Sequence, residues 1–139
     1  MKLTPLEVKK DTRGSFIEAF KLPNDGQVSY IIINPTESRG NHYHERKTEH
    51  FLVIYGAATI TSKNRETGDV MNVTLSGYKP LTATIPPNHT HRITATDEGC
   101  ICLIWCDEQF NKEDADTFPE EIWTHTHTSK KQPTRTKVY

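Results

Sequence analysis

Four side chains have the types and spacing to hold a divalent cation. His42 and His44 lie two residues apart, Glu49 follows five residues later, and His91 comes 42 residues after that. On an extended strand, His42 and His44 point to one face while Tyr43 points to the other. Glu49 opens the next run of strand-forming residues, and His91 follows the tight turn Pro86-Pro87-Asn88. Imidazole nitrogens together with one carboxylate suit Zn²⁺, Fe²⁺, Ni²⁺ or Mn²⁺. With seven His and eleven Glu in 139 residues, a His-x-His-x-x-x-x-Glu sequence is expected by chance only about 0.03 times. Chance is a poor rival.

The elements that must position these groups are short and β-rich. Strands are expected near 6–9, 15–20, 28–34, 50–55, 57–62, 70–75, 82–85, 91–95 and 101–106. Turn residues separate them: Asp11-Thr12-Arg13-Gly14, Pro23-Asn24-Asp25-Gly26, Glu66-Thr67-Gly68-Asp69, Pro86-Pro87-Asn88 and Asp97-Glu98-Gly99. Many short strands at this spacing predict an all-β sandwich or small barrel. The apolar fraction of 34% and the 19 threonines fit strands that hide only alternate side chains. Residues 1–123 are read as one domain. The acidic stretch from Asp107 to Glu121 has room for a short helical turn, with Trp123 as an anchor after it. Residues 124–139 carry Lys130, Lys131, Arg135 and Lys137 and no acid. This is read as a basic tail, solvated or, more sharply, meeting phosphate or a partner subunit.

Composition excludes several classes. Seventeen basic against eighteen acidic residues leave no charge excess for a nucleic-acid backbone. The longest apolar run is seven residues, Cys100 to Cys106, far short of a membrane span. The first ten residues lack the apolar core of a signal peptide. Three cysteines, an odd number, argue against a disulfide framework and for a reducing, cytoplasmic setting. Cys100, Cys102 and Cys106 share strand parity and are read as buried and structural. Ile101, Leu103 and Trp105 take the other face, so this strand is expected to be covered on both sides.

On these residues the chain resembles the cupins, small jelly-roll barrels (double-stranded β-helices) carrying two short motifs. The first corresponds to His42-Tyr43-His44, Glu49 and Gly56, and the second to Pro86-Pro87-Asn88-His89-Thr90-His91. Asn88 stands where the motif has Gly, Ala95 where an Asn is often found, and Thr36 where a Gly is expected. Asn tolerates the left-handed conformation that such a Gly provides. A narrower resemblance covers most of residues 11–122. The run from Asp11 to Phe20, and Arg39-Gly40-Asn41-His42, look like dTDP-4-keto-6-deoxyhexose 3,5-epimerases. Arg39 to Val53, Leu103-Ile104-Trp105 and Asp116 to Glu121 are similar to the zinc-binding C-terminal cupins of bifunctional capsular-polysaccharide enzymes. In those enzymes the cupin epimerises a UDP-4-keto-6-deoxy-N-acetylhexosamine at C3, and a separate domain performs a reduction. No GxGxxG sequence occurs here, so a free-standing epimerase half is expected.

The resemblance implies a divalent metal, zinc first, on His44, Glu49 and His91, with His42 as fourth member. His42 has two precedents, a ligand in metal cupins and the catalytic base in the metal-free 3,5-epimerases. It implies Lys47 as a second catalytic group, and a nucleotide-diphosphate sugar held by Arg13, Glu18 and Arg39. His89 shares strand parity with His91 and is read as facing the same cavity on the substrate side, or else as a surface histidine. Arg13 and Glu18 in such enzymes often serve the neighbouring subunit. Strands like those in Met1 to Phe20 exchange between subunits in related cupins, which implies a homodimer. Two other readings compete. One is a 3,4-ketoisomerase of the same barrel type, which commonly carries Gln where this chain has Glu49. The other is a non-catalytic cupin that binds metal and sugar.

Overall fold

The structure is a computed structural model that describes residues 4–79, 81–122 and the strand Arg135–Val138. Its ten strands are β1 (Val8–Asp11), β2 (Gly14–Lys21), β3 (Gln27–Ile33), β4 (Ser38–Tyr43), β5 (Glu49–Asn64), β6 (Val70–Ser76), β7 (Thr82–Ile85), β8 (His89–Cys106), β9 (Phe118–Pro119) and β10 (Arg135–Val138). The single short helical turn among the described residues, Lys112–Asp114, falls in the acidic stretch where one was expected.

Two long strands organise everything else. β5 and β8 run antiparallel along nearly their whole lengths, from Glu49 opposite Cys106 to Asn64 opposite His89. The ends that carry Glu49 and Cys106 join β7 and β3, and the ends that carry Asn64 and His89 join β6 and β4. The ribbon they form therefore bends from one sheet layer into a second. Register shifts at Val53/Tyr55 and Gly56/Ala58 mark the bend. Gly56, with φ of 68°, sits there, and a Cβ on it would lie 2.1 Å from the Gly99 carbonyl oxygen. Only glycine admits that approach.

Between the layers lie Ile31, Ile33, Phe51, Val53, Ala58, Ile60, Leu75, Ile85, Ile93 and Ala95, with Cys100, Cys102 and Ile104. The three cysteines are free and buried as read from their parity. Burial pushes the Cys100 thiol up to about 11 and Cys102 to about 12, which leaves both unreactive near neutrality. The opposite side of that strand departs from expectation. Ile101 and Leu103 are half-buried and Trp105 is 43% exposed, so within one chain the second face is only partly covered.

Two further readings changed. The runs 50–55 and 57–62 are one bulged strand, and so are 91–95 and 101–106, because the Gly-containing breaks bend the ribbon without ending it. Within the C-terminal tail, Arg135–Val138 pairs in parallel with β6, whose outer edge has free backbone groups to offer. Trp123, Lys130 and Lys131 lie outside the described residues.

Candidate metal centre

The inward face of the first layer changes from apolar to polar toward one end. Along β3 it reads Ile33, Ile31, Ser29, Gln27, and across the strands Gln27, Cys106 and Glu49 stand in register. Next to them Ser29, Ile104 and Phe51 form the row above. The polar row is the floor of a cavity of about 240 Å³, also lined by Lys9, Phe16, Glu18, His42, His44, Lys47, Phe110 and Thr117.

A bulge aims the histidines into this cavity. Along β4, Gly40 faces Arg92 and His42 faces His91, with Asn41 the extra residue between. Without it, Asn41 would stand opposite His91 and His42 would turn away from the cavity. Asn41 has φ of 56° and Gly40 φ of 101°. A Cβ on Gly40 would come within 2.7 Å of the His91 carbonyl oxygen. His44 follows two residues after His42 on the same face, just past the strand. Asn88, in the second motif, has φ of 62°, the left-handed conformation expected where the motif carries Gly.

One ligand atom from each of His42, His44, Glu49 and His91 can be chosen so that all lie within 4.8 Å of one another. Glu49 Oε2 is 2.9 Å from His91 Nε2 and 3.1 Å from His44 Nε2. The other nitrogens of these two rings are committed. His44 Nδ1 donates to the carbonyl of Asp116, and His91 Nδ1 donates to the carbonyl of His89 at 3.1 Å. A carbonyl can only accept, so each Nδ1 carries the hydrogen and the neutral ring turns a bare Nε2 lone pair toward the carboxylate. His44 Nε2 and Glu49 Oε2 are buried without a hydrogen-bond partner, since a bare imidazole nitrogen and a carboxylate oxygen can each only accept. Lone pairs converging at this range repel unless positive charge stands among them. The donor set fits a divalent cation of borderline softness.

The electrostatics agree with that geometry. Burial, with His91, His44 and Lys47 adding to it against Glu49, pushes His42 down to about 3, so its imidazole is neutral at pH 7. Burial disfavours charge on His44 as well, but the Glu49 carboxylate and the Asp116 carbonyl outweigh it and raise the ring. Burial would also raise Glu49, yet the two facing imidazoles hold it well below the usual carboxylate range. The centre attracts a proton where a metal ion would otherwise sit.

The other predicted residues divide among three places. Lys47, 6% exposed, and Glu18 line the cavity, and Glu18 is 3.4 Å from Lys9. Arg13 and Arg39 gather instead on Asp11, at 2.5 and 3.6 Å, outside the cavity wall. The Arg39 Nε is buried and unpartnered. His89 is half-buried, and its Nδ1 donates to the Pro87 carbonyl at 2.9 Å within the turn. Sequence reasoning assigned no role to Gln27, Ser29 or Phe110. Gln27 Nε2 donates to Ser29 Oγ at 2.9 Å, and Gln27 Oε1 accepts from the Phe110 amide at 3.1 Å. Nor did it assign one to Asp116, whose carboxylate is held below its usual range because three backbone N–H donors outweigh the cost of burial.

Comparison with known proteins adds a further layer. Residues 9–118 match the polysaccharide biosynthesis C-terminal domain family. Over 110 residues the chain is 38% identical to the UDP-2-acetamido-2,6-beta-L-arabino-hexul-4-ose reductase of Pseudomonas aeruginosa, covering 78% of this chain and 29% of that protein. The capsular polysaccharide assembling protein CapF of Staphylococcus aureus superposes with a TM-score of 0.81 at 34% identity, over 85% of this chain and 35% of that one. The chain thus spans about a third of the length of these relatives. A Bacillus subtilis oxalate decarboxylase shares the fold, with a TM-score of 0.70 at 19% identity over 82% of this chain and 30% of that one.

Proposed function

The chain belongs to the polysaccharide biosynthesis C-terminal domain family and its barrel is a cupin, and from that premise we propose that it is a metal-dependent epimerase of a nucleotide-linked 4-keto-6-deoxysugar. The inverted carbon is C3, with C5 the other position activated by the same ketone. The observation that carries this reading is the set of converging, unpartnered donor atoms in the polar end of the barrel. His44, Glu49 and His91 hold the ion, zinc by resemblance, and His42 is the fourth ligand. When bound, the ion supplies positive charge that stabilises an enolate oxygen.

The reaction then needs two proton carriers. A C–H bond next to the ketone breaks, its electron pair moves to the carbonyl oxygen, and a base takes the proton. Return of a proton to the opposite face of the same carbon gives the epimer, with no redox change. Lys47 is the protein group best placed to move such a proton, being buried yet on the cavity wall. A cavity of about 240 Å³ is below the usual range of roughly 300–1,000 Å³ for sites that engulf a whole drug-sized ligand. It takes the sugar end, while the diphosphate lies outside, toward Arg39 and Arg13. Forked guanidinium groups suit that partner. Glu49 favours a metal over the Gln common in the 3,4-ketoisomerases.

The test is isotopic. Incubation with a UDP-4-keto-6-deoxy-N-acetylhexosamine in heavy water is expected to place deuterium at C3, or at C3 and C5, detectable by mass spectrometry and NMR. No incorporation would reduce the protein to a metal- and sugar-binding cupin. Movement of the ketone to C3 would make it a ketoisomerase.

The proposed setting is the cytoplasm and the proposed assembly a homodimer. No helix among the described residues is long and apolar enough to cross a membrane. The outer face of the first layer carries exposed Phe20, Ile32, Ile54, Tyr55 and Trp105. The rows Phe20–Val28–Trp105–His50 and Ile32–Ile101–Tyr55 run across neighbouring strands. A second copy laid on this face supplies the cover that Trp105 lacks. Light scattering is expected to give a dimer at micromolar concentration and a monomer for Trp105→Lys. A monomeric wild type would contradict the assembly.

A further inference from the structure

Glu45, Arg46, Lys47 and Thr48 form the loop between two of the metal-centre residues, His44 and Glu49. All four of its backbone N–H groups are taken by carboxylates from beyond β8. Asp116 Oδ1 accepts from Glu45 at 2.8 Å, and Asp116 Oδ2 accepts from Arg46 and Lys47, each at 3.0 Å. Asp107 Oδ1 accepts from Thr48 at 2.9 Å. Asp116 is 2% exposed, and its main-chain carbonyl is the acceptor for His44 Nδ1–H. One residue thus holds the loop backbone through its side chain and the histidine ring through its main chain.

The following residues extend the same hold. Phe118 pairs with Tyr43 and Pro119 with His42, and the Glu120 amide donates to the Asn41 carbonyl at 2.9 Å. From Asp116 to Glu120 the segment therefore runs along the outside of the ligand strand. Three successive N–H groups converging on one carboxylate are a geometry that an amide side chain cannot reproduce, because its NH₂ meets a donor instead of a lone pair.

We propose that Asp116 is the positioning residue of this centre, setting the tautomer and aim of His44 and the place of Lys47. The assignment rests on the metal-dependent reading above. A residue that only closes a loop would alter stability; a positioning residue alters the donor atom itself. Loss of an outer partner of a metal ligand typically weakens metal binding about 10–100-fold.

The test uses the full chain with Asp116→Asn, and Asp116→Ala as a second variant should the first fold poorly. Zinc affinity is read by competition with a chromophoric chelator. Independently, in the metal-free protein, ¹⁵N NMR reads the His44 tautomer, and hydrogen exchange reads the Glu45, Arg46 and Lys47 amides. Expected is a 10–100-fold weaker zinc affinity in a variant whose fold is retained, with the three amides exchanging faster and His44 Nδ1–H less dominant, because the released segment no longer holds its main-chain carbonyl against the ring. A folded variant with unchanged affinity, tautomer and amide protection overturns the proposal while leaving the metal reading intact. If the wild type binds no zinc, the metal reading fails instead. The two metal-free readouts then decide Asp116 alone: unchanged, they refute its role; changed, they support it.

Discussion

His44→Ala is expected to strip the protein of its metal and, with it, of proton exchange on the substrate. His44 is 4% exposed, its Nδ1 is tied to the Asp116 carbonyl, and its Nε2 lies 3.1 Å from Glu49. Tyr43, its neighbour in the chain, is stacked on Phe118 at 5.2 Å and offers no replacement. If four ligands share a zinc binding free energy of roughly 10–16 kcal/mol, removing one costs about 3 kcal/mol, a loss of over a hundredfold in affinity. The measurement is metal analysis of protein purified without a histidine tag, expected to give about one ion per chain in the wild type. The sign with pH follows from the same residue. Glu49 raises His44, so the ring must lose a proton before it ligates, and metal affinity falls as pH falls. Full activity of metal-free protein in excess chelator would refute the centre altogether.

What was legible in the sequence divides by the range of the interaction that carries it. The four candidate ligands were visible because their chemistry is written in residue type and spacing, whatever the fold. β7 was read as Thr82–Ile85, its observed extent, since a four-residue alternation bounded by turn residues is a local signal. β4 was not read as a strand. Ser38-Arg39-Gly40-Asn41-His42-Tyr43 has no apolar alternation, and all six residues are half-buried, held by pairing to β8 and β9. Its bulge at Asn41 is equally silent in a hydropathy pattern, yet it decides where His42 points. Asp116 was invisible as a positioning group because it meets residues 69 to 72 positions away, and no local pattern marks a clamp of that span. Gln27 and Ser29 left a signal that went unused: two polar residues on the inward parity of a strand whose next inward residues are Ile31 and Ile33. That switch from polar to apolar marks the floor of the cavity.

The second large effect is expected at His42, where the precedents of ligand and base diverge. His42→Gln is expected to weaken metal binding, with proton exchange lost at low zinc and partly restored by added zinc. His42 belongs to the converging set, and its ring centroid lies 4.8 Å from that of His44 and 4.7 Å from that of His91. Its imidazole is neutral near pH 7, a state that a ligand and a base both require. Two observations pull apart from there. The described hydrogen bonds give His44 and His91 a carbonyl acceptor at Nδ1, while His42 has none, so its tautomer is not imposed as theirs is. Zinc in catalytic sites usually keeps a position open beside three protein ligands, which leaves His42 free to act on the substrate. Against this, the bulge at Asn41 turns His42 into register with His91, and a site that expands to five positions accommodates both the fourth ligand and the substrate. Ligation also leaves the proton to Lys47, the buried lysine on the cavity wall, so Lys47→Met should remove exchange while the metal stays bound. The deciding experiment measures metal content and deuterium incorporation on the same His42→Gln sample. Exchange abolished with metal fully retained, and not restored by zinc, would make His42 the base and Lys47 an accessory.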